Sequence, residues 1–304
     1  MSTDAPPRLT LGTAQLGMAY GVANRLGRPS EAAARDIVAA AWAGGVRRFD
    51  TAMHYGESEA VLGRALAAIP GAPRAALVVG KLAPDLDPAD ADLLTHGVRA
   101  SLDRLGLDAL DGLLLHREAL LGRWERLRPG LEALRAAGLA RRIGVSVYSP
   151  ANALAALRLP GLDLLQLPSS VLDRRFEDAG VFAAAAESGA AVQVRSVFLQ
   201  GLLLLPADRL PGRMAFAAPY VRAFQDCCAE AGLSPARAAL GYAWTAYPGA
   251  AILAGAESAA QVRDNLAHAA PLPPGLAEEL RSRLRGAPEQ VLNPSLWPSG
   301  GSAS

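Results

Sequence analysis

Four polar side chains lie at or just after the ends of apolar runs in the first half of the chain. Asp50 ends the run VRRFD, Lys81 ends ALVVGK and His116 ends LDGLLLH, while Tyr55 follows Asp50 by five residues. A tyrosine beside a lysine ammonium is a workable general acid, because the cation stabilises the phenolate and lowers a pKa that is ordinarily about 10. The aspartate would hold the lysine in position, and the histidine would orient or polarise a carbonyl oxygen. These residue types therefore indicate acid–base chemistry on a carbonyl group.

Lys81 is the only lysine among the 30 basic residues of the chain. A sequence that otherwise uses arginine should keep a lysine where arginine fails, since lysine carries a compact ammonium and arginine a wide fork. Each residue alone also has a structural interpretation: Asp50 as a helix cap, Tyr55 as a half-buried ring, His116 as a hydrogen-bonded rim histidine and Lys81 as a chance survivor. Their joint placement at the ends of successive strands favours catalysis.

Short apolar runs alternate with alanine-rich segments of helical period along the whole sequence. The runs are typical of buried strands, and the longer segments are typical of helices. Ser30 and Ser58 are predicted helix caps, and Gly138, Gly189 and Gly232 follow predicted helix ends. The predicted strands cover residues 9–13, 46–50, 76–81, 110–116, 142–147, 162–167, 192–197 and 250–255. The predicted helices cover about 30–43, 58–68, 89–104, 123–137, 150–157, 178–188, 218–231 and 257–268.

Eight strand–helix units predict an α/β protein with a (β/α)₈ TIM barrel, built as a single domain over residues 1–304 with a short tail from about 286. The alternative is a doubly wound open sheet. Against it, the turn GTAQLG after the first strand lacks the GxGxxG pattern with which such a sheet binds dinucleotides. In a barrel the C-terminal ends of the strands meet on one face, which would bring Asp50, Lys81 and His116 together.

Composition argues against several other classes of protein. The formal net charge is +1 and the arginines are scattered, which argues against nucleic acid and anionic membranes as partners. We find no secretory leader and no apolar run long enough to span a bilayer. Cys227 and Cys228 are adjacent with no further cysteine, so neither a disulfide framework nor a metal site is expected. We therefore expect a cytoplasmic protein.

The segment GVRRFDTAMHYGESEAVLGRAL at 45–66, together with VVGK and LLLHR, closely resembles the aldo-keto reductases. The similarity extends over nearly the full chain. The family's catalytic aspartate, tyrosine, lysine and histidine fall on Asp50, Tyr55, Lys81 and His116. The resemblance implies a small-molecule carbonyl or alcohol as substrate and a nicotinamide cofactor, NADP(H) or NAD(H), which supplies the hydride.

The resemblance also assigns residues to the two halves of that cofactor. Ser146 and Gln166 match positions that hold the nicotinamide carboxamide, although the usual asparagine is Val147 here. Arg195 replaces an aromatic ring that stacks on the nicotinamide, and a planar guanidinium can also stack. The predicted cofactor contacts are Thr13, Asp50, Ser146, Gln166, Arg195, Ser196, Phe198, Gln200, Gly201, Gly255, Glu257, Ser258, Gln261 and Asn265.

The choice between NADP(H) and NAD(H) depends on the segment AGAESAAQVRDN at 254–265. Many relatives have a basic residue near Ser258 that binds the 2′-phosphate of NADP. Glu257 would repel that phosphate and could bond a ribose hydroxyl, so this position favours NAD(H) while family membership favours NADP(H). A purely structural alternative makes Glu257 or Ser258 the cap of the last predicted helix.

Substrate selection is expected from loops on the same face as the four catalytic candidates. The loop after the fourth strand is short, and the opening GTAQLGMAYGVAN resembles bacterial members associated with sugars. A Schiff-base aldolase that uses Lys81 and a cofactor-sensing protein with little turnover are the competing functions, and the oligomeric state stays open. The predicted substrate contacts are Tyr20, Met53, His54 and Arg117, with Leu82 and the insertion at 202–217 as further candidates.

Overall fold

A computed structural model describes residues 8–84 and 90–298, which form a closed barrel of eight parallel strands in sequence order. This topology confirms the predicted TIM barrel and rules out an open doubly wound sheet. Residues 1–7, 85–89 and 299–304 lie outside the described residues, and with them the first residue of the helix predicted at about 89–104 and the end of the tail predicted from about 286. The strands are β1 (Leu9–Gly12), β2 (Arg48–Asp50), β3 (Leu77–Lys81), β4 (Gly112–Leu115), β5 (Ile143–Ser146), β6 (Leu164–Pro168), β7 (Ala191–Arg195) and β8 (Ala251–Gly255).

Helices follow the strands and surround the barrel. None of the described helices is long and apolar enough to cross a membrane. Short 3₁₀ turns lie at Glu118–Arg123, Leu202–Leu204, Ala207–Arg209, Gly212–Ala217 and Pro294–Leu296. The α-helices are α1 (Ala14–Gly17), α2 (Glu31–Ala43), α3 (Ser58–Ala67), α4 (Ala72–Ala75), α5 (Ala91–Leu105), α6 (Trp124–Ala136), α7 (Pro150–Ala156), α8 (Arg175–Asp178), α9 (Val181–Ser188), α10 (Ala218–Glu230), α11 (Pro235–Ala246), α12 (Ala259–His268), α13 (Leu276–Arg283) and α14 (Glu289–Leu292).

Helix ends agree with the sequence signals except at one position. Ser30 accepts a hydrogen bond from the Ala33 N–H and caps α2, as predicted. Ser58 is not a cap, because it is the first residue of α3 and its buried hydroxyl is hydrogen-bonded to Thr13. Helix α11 has no counterpart among the predicted helices, although Ser234 followed by a proline is a helix-start signal and Ser234 does cap it.

The main hydrophobic core lies between the barrel and its helices. Alternate residues of each strand point to opposite faces, so Leu9 and Leu11 of β1 belong to this core while Thr10 lines a cavity inside the barrel. Burying one such leucine contributes about 1.5–3 kcal/mol. Inside the barrel, Val79, Leu114 and Leu164 form a smaller apolar cluster. Side chains therefore pack the middle of the barrel, and its C-terminal rim serves as a fixed platform.

Candidate active site

Lys81 and Asp50 form a buried ion pair at the C-terminal ends of neighbouring strands. Lys81 Nζ lies 2.5 Å from Asp50 Oδ1 and donates a second hydrogen bond to the Thr51 carbonyl at 3.0 Å. The residues are 1% and 3% exposed, respectively. Gln166 Nε2 donates to the other Asp50 oxygen at 2.7 Å. Because both carboxylate oxygens have partners, Asp50 and Lys81 hold each other in one geometry.

Tyr55 is held against this pair by the loop between β2 and α3. The Lys81 ammonium lies 4.9 Å from the centroid of the Tyr55 ring. The loop packs so closely on α1 that a Cβ on Gly17 would lie 1.8 Å from the Tyr55 carbonyl oxygen. Ser58 N–H donates to the same carbonyl at 3.0 Å. A glycine at 17 and the buried serine at 58 therefore fix the position of the tyrosine.

The phenol of Tyr55 is harder to ionise than predicted. Burial raises its pKa above the ordinary value and the negative charge of Asp50 raises it further, while Arg195 lowers it. Lys81 is directed at Asp50 and Thr51 and lies over the ring face. The prediction of a lowered Tyr55 pKa is therefore wrong. The structure holds Tyr55 as a neutral phenol, which is the form that donates a proton.

His116 faces the tyrosine and is also uncharged at neutral pH. The two ring centroids are 6.0 Å apart, with the rings nearly perpendicular. Burial, followed by the positive charges of Lys81 and Arg195, lowers the pKa of His116 to about 4. Its Nδ1 is buried without a hydrogen-bond partner among the described residues. A neutral imidazole at this position has hydrogen-bonding capacity left for a bound molecule.

A cavity of about 300 Å³ extends from Tyr55 and Asp50 across the C-terminal face to α12. Of the predicted cofactor contacts, Ser146 and Ser258 do not line it. Ser146 lies behind Gln166, and its hydroxyl is 3.2 Å from Gln166 Oε1. The predicted contacts that line the cavity are Thr13, Asp50, Gln166, Arg195, Ser196, Phe198, Gln200, Gly201, Gly255, Glu257, Gln261 and Asn265.

Arg195 brings a positive charge into the end of this cavity that Tyr55 and Asp50 line. Its guanidinium lies 4.3 Å from the centroid of the Tyr148 ring and donates to the Val147 carbonyl at 3.2 Å and to Ser196 Oγ at 3.3 Å. No described carboxylate pairs with it. The planar group is therefore held by stacking and two hydrogen bonds, and its charge stays uncompensated.

The loop after β7 has an unusual backbone. Ser196, Leu199 and Gln200 adopt the left-handed region with φ of 62°, 46° and 53°, which costs about 1 kcal/mol or more for each non-glycine residue. The N–H groups of Val197, Phe198 and Gln200 donate to no acceptor among the described residues. Such free, neighbouring N–H groups form a concave site for anions. The loop thus offers three N–H donors to an anion.

A second loop closes over this segment. Val22 N–H donates to the Gln200 carbonyl at 3.0 Å, and a Cβ on Gly201 would lie 2.6 Å from Ala23 Cβ. Because Gly201 has a φ of 88°, glycine satisfies both the backbone angle and the close approach. The loop after β1 therefore packs on the loop after β7 at the cavity wall.

The far end of the cavity is acidic. Ser258 caps α12 by accepting from Gln261 N–H, which confirms the structural interpretation of this residue. Glu257 and Asp264 both line the cavity, and Asn265 donates to the Gly255 carbonyl at 3.2 Å. Arg195, at the opposite end, is the only basic residue among those that line it. Further lining residues beyond the predicted set include Gln15, Gly21, Ala23, Leu204, Leu205, Ala236 and Asp264.

Of the four predicted substrate contacts only Tyr20 reaches the cavity wall, and the further candidate at 202–217 contributes Leu204 and Leu205 to it. Tyr20 lines the cavity, and burial followed by the neighbouring Tyr55 raises its pKa to about 12. Met53 is half-buried against the hydrophobic core, and His54 and Arg117 are exposed outside the cavity lining. Leu82 is a core residue that is 2% exposed. A substrate contact by Met53, His54 or Arg117 therefore stays a prediction.

Residues 8–282 match the family model described as the Aldo/keto reductase family. The chain is 30% identical to D-threo-aldose 1-dehydrogenase of a Pseudomonas species over 253 residues, 71% of this chain and 76% of that protein. It is 40% identical to 2,5-diketo-D-gluconic acid reductase B of a Corynebacterium species over 106 residues, 37% of that protein's length. The fold is similar to that of an aldo-keto reductase from Bacillus halodurans in its holo form, with a TM-score of 0.75 and 23% identity; the alignment covers 94% of this chain and 92% of the other.

These similarities and the barrel geometry lead to the same assignment. Members of this family act on small-molecule carbonyl compounds and generally use NAD(P)H. The match extends over most of the chain and includes Asp50 and Lys81 at the ends of β2 and β3 and His116 just after β4. The chain belongs to the aldo/keto reductase family and is an oxidoreductase of carbonyl and alcohol groups.

Proposed function

We propose that Tyr55 is the general acid and base of this oxidoreductase and that Asp50, Lys81 and His116 assist it. The observation that supports this most strongly is the buried Lys81–Asp50 pair beneath the Tyr55 ring at one end of a long cavity. A bound nicotinamide supplies or accepts the hydride. The protein has to hold a carbonyl carbon beside that cofactor and deliver a proton to its oxygen.

In the reducing direction, Tyr55 donates its proton to the oxygen of the carbonyl as that oxygen becomes an alcohol. The raised pKa of the phenol keeps the proton in place at neutral pH, and the neutral His116 orients the same oxygen by a hydrogen bond. The Lys81 ammonium lies close enough to stabilise the tyrosinate left behind. In the oxidising direction the phenolate must form first, which the raised pKa opposes.

The cavity fits an extended dinucleotide. Gln166 would bond the carboxamide, with Ser146 hydrogen-bonded to it from behind, and the free N–H groups between Val197 and Gln200 would bind the pyrophosphate. Arg195 would lie against the nicotinamide. The remaining predicted contacts, Thr13, Gly255, Gln261 and Asn265, line the path to the adenosine end.

We propose NAD(H) as the preferred cofactor. Glu257 and Asp264 line the adenosine end, where burial raises the pKa of Glu257. A carboxylate repels the 2′-phosphate of NADP(H) but accepts a hydrogen bond from a ribose hydroxyl. NADP(H) is the alternative that family membership favours.

The competing functions fit the geometry less well. A Schiff-base aldolase needs a neutral amine that reaches the substrate, whereas Lys81 is 1% exposed and bonded to Asp50. A cofactor-sensing protein without turnover would bind nicotinamide nucleotides and reduce no aldehyde. For the substrate we propose a small polar carbonyl compound such as a sugar, because the two named relatives act on an aldose and on a diketo sugar acid.

The test is a panel of aldehydes, ketones and sugars assayed with NADH and NADPH, following the absorbance of the reduced nicotinamide. Tyr55→Phe should bind cofactor as the parent does and lose at least about a hundredfold in carbonyl reduction, because only the proton donor is missing. Turnover within a few-fold of the parent would remove Tyr55 from the mechanism. Borohydride trapping of Lys81 with a carbonyl compound would instead support the aldolase.

A further inference from the structure

A second cavity lies inside the N-terminal end of the barrel, on the opposite face from Tyr55. Its volume is about 160 Å³, and strand starts form much of its wall. Nothing in the proposed reaction uses it. The residues that line it are Arg8, Thr10, Arg48, Leu77, Val79, Asp111, Arg142, Leu164, Ala191, Val192, Gln193 and 248–251.

The charges in this cavity do not balance. Three guanidinium groups, from Arg8, Arg48 and Arg142, face one carboxylate, from Asp111. Asp111 forms its close hydrogen bond with Arg142, and Arg8 donates to the backbone carbonyls at Trp244, 247 and 250. The cavity lining therefore has an excess of two positive charges among the described residues.

Arg48 is the arginine of this cavity whose guanidinium donors have no hydrogen-bond partner among the described residues. Its Nη1 lies 3.8 Å from Asp111 Oδ2, which is too long for a hydrogen bond, and its guanidinium donates to no acceptor among the described residues. Its side chain is 27% exposed, and burial lowers the pKa of Arg48. A nearby anion would stabilise this charge.

Thr10 supplies a second unsatisfied group at the same place. The parallel register pairs Thr10 of β1 with Arg48 of β2, so the two residues are direct neighbours across the strands. Thr10 is 1% exposed, and its Oγ1 is buried without a hydrogen-bond partner. A buried hydroxyl without a partner is unfavourable, and most such groups in native proteins are satisfied by protein or by ordered water, a place that a bound ion can also take.

We infer that this cavity binds a small oxyanion of the size of inorganic phosphate. Guanidinium forks match the geometry of phosphate oxygens, and the Thr10 hydroxyl can donate to the same ion. The volume is too small for a nucleotide, because pockets for larger ligands typically exceed about 300 Å³. The ion would neutralise the excess charge of Arg48 and satisfy Thr10 together.

This site acts on stability and not on turnover. The N-terminal face of a TIM barrel supports the fold, whereas the C-terminal face carries the chemistry. An ion that binds only the folded chain raises the melting temperature in proportion to the logarithm of its concentration above saturation. The inference is therefore independent of the proposed reaction.

The experiment is calorimetric titration of the full chain with inorganic phosphate at constant ionic strength, with chloride as the control anion and a saturating nicotinamide cofactor present. The cofactor keeps phosphate from the free N–H groups of the loop after β7. We expect saturable binding and a rise in melting temperature that chloride does not reproduce. Absence of saturable binding up to roughly 20 mM phosphate, or equal stabilisation by chloride, would show an adventitious ion only and overturn the inference.

Three variants locate the ion. Arg48→Gln should weaken phosphate binding at least about tenfold, the effect of one lost charge-assisted contact, while the matched control Arg64→Gln on the exposed side of α3 should bind like the parent. Thr10→Val should melt at the same or a higher temperature without phosphate, because it removes an unpaired buried hydroxyl, and should gain less from phosphate than the parent. Because Thr10→Val is expected to fold at least as stably as the parent, it still tests the site if Arg48→Gln does not fold. Parent-like phosphate binding in both Arg48→Gln and Thr10→Val would place the ion elsewhere.

Discussion

Replacing Lys81 by arginine keeps the charge and changes the shape, which separates a catalytic lysine from a merely electrostatic one. The Lys81 side chain is 1% exposed and fits between Asp50 at 2.5 Å, the Thr51 carbonyl at 3.0 Å and the Tyr55 ring at 4.9 Å. A guanidinium is wider than an ammonium and planar. It cannot occupy this space without moving the phenol or the carboxylate.

The size of the effect follows from this packing. Overfilling a closed site typically costs about 1–3 kcal/mol, and a domain of this size loses roughly 2–4 °C in melting temperature for each kcal/mol. We therefore expect Lys81→Arg to melt roughly 2–12 °C below the parent. A displacement of the phenol by about 1 Å should lower kcat/KM by at least about a hundredfold.

The assay combines a thermal melt, a cofactor titration and steady-state reduction of the best carbonyl substrate. Arg64→Lys is the matched control, because Arg64 pairs with Glu31 on the surface with about half of each side chain exposed, and its effect should stay near zero. Lys81→Met should destabilise more strongly, by about 3–5 kcal/mol, since it leaves the Asp50 carboxylate buried without its cation. A Lys81→Arg protein with parental activity and melting temperature would refute the reasoning.

Three further predictions concern charge in the cavity. Glu257→Arg should shift the ratio of catalytic efficiencies toward NADPH by adding a partner for the 2′-phosphate; an unchanged ratio would place Glu257 away from the ribose. Arg195→Gln should strengthen binding of the oxidised, cationic cofactor relative to the reduced form by about tenfold or more, because it removes an uncompensated positive charge beside the nicotinamide. Fluorescence titration measures both affinities, and equal effects on the two forms would show that Arg195 does not lie against the ring. The pKa of His116 is lowered to about 4 in the folded chain. Between about pH 6.5 and pH 4 the imidazole is therefore protonated in the unfolded chain and neutral in the folded chain, so the free energy of unfolding decreases as the pH falls through that window. His116→Gln should therefore lose less unfolding free energy between pH 7 and pH 4.5 than the parent in urea titrations, and an identical loss would count against this.

Much of the fold could be predicted from local patterns. All eight strands lie within a few residues of the predicted runs, because strands buried on both faces form short apolar segments between helices. Helix α11 could not be recognised by periodicity, since its alanines and its aromatic residues do not form a clear apolar stripe. The caps show the same limit: Ser58 has the residue type of a cap, but its partner Thr13 lies 45 positions earlier in the chain.

For the site, the residues at the strand ends could be identified from local patterns, and a parallel barrel brings every strand end to one rim. That was enough to select Asp50, Tyr55, Lys81 and His116 as one group. The pKa values of Tyr55 and His116 depend on the folded surroundings, which the sequence does not give. A pKa depends on the burial of a group and on the direction of its neighbours, so Lys81 pairs with Asp50, and Tyr55 becomes harder to ionise than its neighbouring cation suggests. The arginine excess and the unpaired Thr10 at the far end of the barrel likewise have no local signal, because their partners come from strands that are distant in sequence and adjacent only in the closed sheet.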